Sequence, residues 1–277
     1  MARCVVVLAD GLRPDAITRT HMPALHALGH DYTRAIHATT VRPSVTVAAL
    51  ASFATGVSPA THGLVEPGLG FLARLSTLRP LARELARARV PTVVAAGALA
   101  PRNRPVAWAL TACAGVERLL CAANAEARDI MSEALPDLGP DPDGPLFSFV
   151  YLPDCDRAGH ASGWMSAPYL DAASRVDAAL GALTARLDDT LLIVLADHGG
   201  GGTSATDHDA PHPVNERIPL VLAGPGVRRH MVITRTVSLL DVPPTVLHWF
   251  GVPVPATYEG HILRDAFHEP VPAWAAV

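Results

Sequence analysis

A chain of 277 residues with a formal net charge of −4 is long enough to bury a large core, and it carries no overall basic field for gripping a nucleic-acid backbone. Hydrophobic residues make up 49% of it and charged residues only 17%, which excludes a disordered chain and suits an α/β core covered on both faces. Cys4, Cys113, Cys121 and Cys155 are widely spaced with no Cys-X-X-Cys pair, so neither a zinc ribbon nor a dense disulfide framework is indicated, and free thiols are expected.

Cys4 to Ala9 is a short β-branched run that predicts a buried strand ending at Asp10-Gly11. Met22 to Leu28 has helical spacing, and from Thr46 the residues Ala49, Leu50 and Phe53 continue a helix that stops at Gly56, placing Thr46 at a helix N-terminus. Pro80 to Arg89 reads as an amphipathic helix with Pro80 in its first turn, followed by a strand over Pro91 to Ala96. Residues 100 to 135 show little pattern apart from a helix over Ala123 to Ala134, and Pro136 to Pro145 predicts a loop. Leu146 to Leu152 is the next strand. Leu170, Ala173, Val176, Leu180, Leu183 and Leu187 recur at helical spacing, and Thr190 to Ala196 is a strand ending in Asp197. Leu220 to Ala223 is a further strand, and Pro243 and Pro244 start a helix running toward Phe250. Strands alternating with helices predict one α/β domain over residues 1–277, with a mostly parallel sheet and ligands gathered outside its C-terminal strand ends.

Met1 runs almost directly into Val5-Val6-Val7-Leu8 without a secretory pattern, and the longest apolar stretch, Val45 to Val57, is too short for a bilayer. A cytoplasmic protein with no membrane partner and no nucleic-acid polymer partner is expected. The many small apolar residues are compatible with a homodimer.

Three predicted strands end in acid: Asp10, the pair Asp154/Asp156, and Asp197. Asp156 is followed by His160, and Asp197 by His198, so carboxylate and imidazole arrive together, the donor mixture that zinc and similar divalent ions take. Asp197 to His212 holds three histidines and three aspartates among glycines, a density that packing does not call for; His208 and His212 both qualify as a last ligand. Thr46 at a helix start is a natural nucleophile, since a metal lowers a hydroxyl pKa and a helix N-terminus favours an anionic phosphate. Ser44 and Thr40 compete with it on chemistry alone.

In this order the blocks resemble the alkaline phosphatase superfamily, most closely its nucleotide pyrophosphatase/phosphodiesterase and phosphonoacetate hydrolase branches. Ala9-Asp10-Gly11-Leu12-Arg13-Pro14-Asp15 looks like the opening strand with its metal-binding Asp. Pro43-Ser44-Val45-Thr46, with Thr55-Gly56, Pro59 and His62-Gly63 after it, looks like the nucleophile segment. Asp156-Arg157-Ala158-Gly159-His160 matches an Asp-X-X-Gly-His block, which selects Asp156 over Asp154, and Ala196-Asp197-His198-Gly199 matches the paired Asp-His ligands. The interval from His208 to Ile218-Pro219-Leu220 and Gly224-Pro225-Gly226 resembles the one after the last metal histidine, favouring His208 over His212, and Asp241 to Gly260 looks like the C-terminal segment.

The resemblance implies a three-layer α/β/α sandwich with a minimal cap. It implies two divalent ions, zinc with manganese as the alternative, one held by Asp10, Thr46, Asp197 and His198 and the other by Asp156, His160 and His208. It also implies hydrolysis of a small phosphate ester, a phosphodiester or nucleotide pyrophosphate, through a phosphothreonine; the alternatives are a phosphonate hydrolase, a phosphomonoesterase, a phosphomutase or an inactive metal-binding relative. Relatives usually carry an Asn shortly after the nucleophile and another beyond the His-Gly pair, where this chain has Ala49 and Leu64-Val65-Glu66-Pro67. Arg13, Arg42 or Arg217 are candidates for the missing phosphoryl contact. The interval from His198 to His208 is too short for a large cap, so specificity is expected from residues 64 to 145, the nearby loops or a partner subunit.

Overall fold

The computed structural model describes residues 2–66, 77–97, 104–124, 126–138, 144–185 and 189–268. Its strands are β1 (Arg3–Ala9), β2 (Thr33–Thr39), β3 (Thr92–Ala96), β4 (Arg118–Cys121), β5 (Leu146–Leu152), β6 (Thr190–Leu195), β7 (Arg217–Ala223), β8 (Met231–Ile233) and β9 (Val237–Ser238). They form a single sheet in the order β4-β3-β5-β1-β6-β7-β2-β8, with β9 paired to β2. Among the described strands only β7 runs against its neighbours; the rest lie parallel, so the sheet is mixed and mostly parallel.

The helices are α1 (Pro23–Asp31), α2 (Thr46–Thr55), α3 (Pro59–His62), α4 (Leu81–Arg87), α5 (Arg104–Ala114), α6 (Ala127–Leu138), α7 (Asp154–Ser162), α8 (Ala167–Thr184), α9 (Pro213–Glu216) and α10 (Val242–Trp249). Contacts sort many of them into two groups, α1, α6 and α7 around α8, and α3, α4 and α10 around α2. Every residue of β1 and β6 is buried, which requires cover on both faces of the sheet and explains why Cys4 to Ala9 and Leu191 to Leu195 read as unbroken apolar runs. One hydrophobic cluster runs from Ala2 to Phe267. Asp177 of α8, itself buried, caps α1 from outside: its carboxylate accepts from the Ala24 and Leu25 amides at 2.9 and 2.8 Å, the donors that a helix start leaves unpaired.

Topology places the site. β5, β1 and β6 are parallel neighbours, with Leu8 opposite both Tyr151 and Leu195, so the residues that follow them, Asp154 to Asp156, Asp10 and Asp197, emerge at one edge. β2 is antiparallel to β7, which is antiparallel to β6, so β2 runs with β1 and delivers the chain toward Thr46 at that same edge.

Several elements differ from the sequence reading. β2, Thr-Arg-Ala-Ile-His-Ala-Thr, has no apolar run because it is only part-buried, and β4 is a short outermost strand opening on an exposed Arg118. α5 occupies the stretch that showed little pattern. α6 continues through Pro136 to Leu138 where a loop was expected, α4 takes Pro80 as its N-cap instead of its first turn, and β7 begins at Arg217, ahead of Leu220. Leu187 and half of the predicted 136–145 loop lie outside the described residues.

Candidate active site

Asp10 ends β1, and Gly11 follows with φ 66, a left-handed conformation that glycine adopts at little cost. A Cβ there would lie 2.9 Å from the Asp156 Cα, because the turn is laced to both neighbouring strands: the Asp156 amide donates to the Asp10 carbonyl at 3.0 Å, and the Gly11 amide to Asp197 Oδ1 at 3.1 Å. Trp164 Nε1 and the Tyr169 hydroxyl both donate to the Gly11 carbonyl at 2.9 Å, fixing the turn from the α8 side.

Thr46 is the first residue of α2, after Val45 as N-cap, and its Oγ1 lies 3.1 Å from His198 Nε2. The same nitrogen is 3.2 Å from Asp10 Oδ1 and 3.5 Å from Asp197 Oδ2. Asp156 Oδ1 is 3.4 Å from His160 Nε2 and 3.7 Å from His208 Nε2. The His198 and His208 rings stack at 3.7 Å, and His160 sits 5.0 Å from His208, so the two halves form one continuous site.

All three imidazoles are oriented the same way. His198 Nδ1 donates to the Gly199 carbonyl at 2.7 Å, His208 Nδ1 to the Ser44 carbonyl at 2.8 Å, and His160 Nδ1 to the Thr206 carbonyl at 2.9 Å. A carbonyl only accepts, so each Nδ1 carries a proton, and each ring in its neutral form turns an Nε2 lone pair toward the carboxylates. Asp10 Oδ1, Asp156 Oδ1 and Asp197 Oδ2 are buried with no hydrogen-bond partner. Buried polar oxygens without donors are costly, and three of them facing three imidazole Nε2 atoms are a donor set that divalent cations would satisfy. The donor sets Asp10, Asp197, His198 and Asp156, His198, His208 each bring their ligand atoms within 4.8 Å of one another. The residues present therefore fit the metals that the resemblance implies.

Without a cation the charges crowd. Burial and the negative Asp10 hold the Asp197 carboxyl well above its ordinary value, and burial and Asp10 bring Asp156 up to about 6. Burial works against ionised Asp10 too, but the adjacent His198 outweighs it and the Asp10 carboxyl stays low. Burial alone would lower His198, yet the charges of Asp197 and Asp10 push it up to about 10. Burial and the positive His198 lower His208.

Seven of the sequence candidates thus meet: Asp10, Thr46, Asp156, His160, Asp197, His198 and His208. His212 does not join them; its Nδ1 accepts from the Val214 amide at 3.3 Å and caps α9. Ser44 donates its hydroxyl to the His208 carbonyl at 3.0 Å, a positioning contact. Of the arginines, Arg13 pairs with Asp15 and reaches the Gly200 carbonyl at 3.2 Å, Arg42 pairs with Glu216 at 2.6 Å, and Arg217 shares a small cleft of about 60 Å³ with Arg13. Ala49 is packed in the core, and Pro67 lies outside the described residues.

Three contributors escaped the sequence reading. The Tyr151 hydroxyl donates to Asp10 Oδ2. Asn215, buried, gathers the histidine-rich loop: its Nδ2 donates to the His208 and Ala210 carbonyls at 3.1 and 2.8 Å, and its Oδ1 accepts from the Gly202 amide at 3.0 Å. Trp164 packs against His160 and His208, and a Cβ on Gly200 would stand 2.1 Å from its ring. Tyr151 was readable as a polar tip at the site end of β5; Asn215 and Trp164 carried no local signal.

This architecture is the core of the alkaline phosphatase superfamily. The phosphonate monoester hydrolase from Silicibacter pomeroyi superposes with a TM-score of 0.72 at 19% identity, over 95% of this chain and 76% of that one. The phosphonate monoester hydrolase of Agrobacterium radiobacter gives 0.70 at 17% identity over 95% and 76%. Within that superfamily the chain belongs to the type I phosphodiesterase / nucleotide pyrophosphatase family, which matches residues 4–69 and 102–234. Among curated proteins, arylsulfatase K of Danio rerio is 35% identical over 104 residues, 33% of this chain and 19% of that protein. GPI ethanolamine phosphate transferase 1 of Candida glabrata is 37% identical over 93 residues, 31% of this chain and 10% of that protein. These matches span less than a fifth of the relatives' length. No helix among the described residues is long and apolar enough to cross a membrane.

Proposed function

We propose that this chain hydrolyses small phosphate esters, phosphodiesters or nucleotide pyrophosphates, through a covalent phosphothreonine on Thr46. The observation that carries the reading is the set of three Nε2 atoms turned toward three partnerless carboxylate oxygens, with Thr46 Oγ1 beside them.

Asp10, Thr46, Asp197 and His198 would hold one divalent ion and Asp156, His160 and His208 the other, zinc or manganese. When bound, two such ions supply Lewis-acid stabilisation to the attacking and departing oxygens and lower the pKa of a coordinated hydroxyl. Thr46 Oγ1 loses its proton to solvent and attacks phosphorus in line; the bond to the leaving oxygen breaks on the opposite side, and that oxygen takes up a proton from solvent. The free amides at the start of α2 receive the non-bridging oxygens of an anionic ester, assisted by the helix dipole. Water then attacks the phosphothreonine from the vacated side, its oxygen bonding phosphorus and its proton passing through solvent to Thr46 Oγ1 as the Oγ1–P bond breaks; two inversions give net retention at phosphorus. Arg13, tied through the Gly200 carbonyl to the loop that carries His198, is the arginine we assign to complement phosphoryl charge. The likeness to phosphonate monoester hydrolases makes a phosphonate ester the second substrate class.

The test is turnover of bis-p-nitrophenyl phosphate, p-nitrophenyl phosphate, p-nitrophenyl phenylphosphonate and p-nitrophenyl sulfate by zinc- and manganese-loaded protein and its Thr46→Ala variant. Diester cleavage that falls by about 10³-fold or more in the variant supports the reading. Preferred phosphonate, monoester or sulfate cleavage transfers the assignment to that substrate. Unchanged turnover in the variant removes Thr46 as nucleophile.

A further inference from the structure

A second cluster of metal-ligating side chains lies apart from Thr46, where the end of α1 meets the start of β8. His30 and Asp31 end the helix, and His230 precedes Met231, the first residue of the strand. Although 200 residues separate them, main-chain bonds fix the two segments together. The His230 amide donates to the Asp31 carbonyl and the Met231 amide to the Tyr32 carbonyl, both at 3.1 Å. His230 Nδ1 donates to the His30 carbonyl at 3.1 Å, and His30 Nδ1 lies 3.0 Å from Asp31 Oδ1. The two rings meet edge to face with centroids 5.7 Å apart. One nitrogen of each ring and one Asp31 oxygen fall within 4.8 Å of one another.

We infer that His30, Asp31 and His230 form a third divalent-cation site, of the zinc class, that fastens the edge strand β8 to α1. Two imidazoles and a carboxylate are the donor set that zinc, nickel and copper prefer over magnesium or calcium. Ligand atoms on a tetrahedral zinc stand about 3.3 Å apart. Exposed side chains already within 4.8 Å reach that spacing by small rotations, with the backbone contacts unchanged. The cation takes the place of the proton between His30 Nδ1 and Asp31, and with three protein ligands its fourth position is open to water. The nearby cation, Arg229, is parked over the Tyr32 ring at 4.5 Å. The two neighbouring segments supply the whole donor set, and none of its residues belongs to the Thr46 site.

The experiment is Zn²⁺ titration of chelator-stripped protein by equilibrium dialysis, comparing wild type with His230→Ala, His30→Ala and, as a surface control, His261→Ala. Wild type and His261→Ala are expected to bind one equivalent more than the other two variants, or to bind it at least tenfold more tightly. Amide exchange at Met231 is expected to slow on zinc addition in wild type and not in His230→Ala. The comparison is between variants, so it holds whether or not the Thr46 site binds metal. Equal stoichiometry and affinity in all four proteins, or equal loss in His261→Ala, overturns the assignment.

Discussion

Replacing Asn215 with leucine removes three side-chain hydrogen bonds while keeping a similar volume in a site that is 1% exposed. Each such bond is worth roughly 1 kcal/mol net, so the loss is about 3 kcal/mol, with a larger value where the Gly202 amide finds no water. For a domain of this size 1 kcal/mol moves the melting temperature by about 2–4 °C, which gives a fall of roughly 6–12 °C. Calorimetry on chelator-stripped protein measures this without metal linkage, and competition titration of Zn²⁺ then reads the second effect. Because Asn215 holds the carbonyl of His208 and the amide of Gly202, the loop should lose its registry and bind zinc about tenfold more weakly. A variant that melts within about 2 °C of wild type and titrates identically would show that the Ser44 contacts hold His208 unaided, and would refute the role given to Asn215.

Metal binding should expel protons. His198 in the metal-free site is held up to about 10, so at neutral pH it is protonated and must become neutral to ligate; Asp197, also raised, adds to the effect. Affinity should therefore climb with pH from neutrality toward about 10, and calorimetry in buffers of different ionisation enthalpy should report net proton release; none released would contradict the crowded charge arrangement. Tyr151→Phe keeps the ring and deletes the donor to Asp10, so zinc affinity should fall about tenfold with an unchanged melt of the stripped protein, as followed by chelator competition. Gly200→Ala drives a methyl into the Trp164 ring, and a lower melting temperature together with reduced turnover is expected; a wild-type melt would mean that the ring moves freely.

The acids at strand ends were legible because in a parallel sheet every C-terminal end arrives at the same edge, so Asp10, Asp156 and Asp197 need only be recognised one strand at a time. The helix start at Thr46 was legible through local grammar, with a left-handed glycine, Gly56, closing the helix, but only the motif resemblance chose Thr46 over Ser44 and Thr40. Residues that work across the fold left no such trace. Asn215 acts on carbonyls five and seven residues away through a loop whose shape no periodicity encodes. Trp164 matters because Gly159, Gly200 and Gly201 make room for it, a relation between separate segments. β2 was hidden for a different reason: pairing with the antiparallel β7 leaves it half-exposed, and its Arg34 and His37 broke the apolar signal.

The main-chain acceptors behind His160, His198 and His208 have a consequence for divergence. A carbonyl is supplied by every amino acid, so the tautomers of all three rings are independent of which side chains stand at 44, 199 and 206, provided the path of the chain is kept. Residues 44 and 206 are thereby released from the electronic upkeep of the centre. Mutational scanning at Thr206 should tolerate broad replacement, and a lineage could alter what it recognises there while leaving its imidazoles aimed as they are.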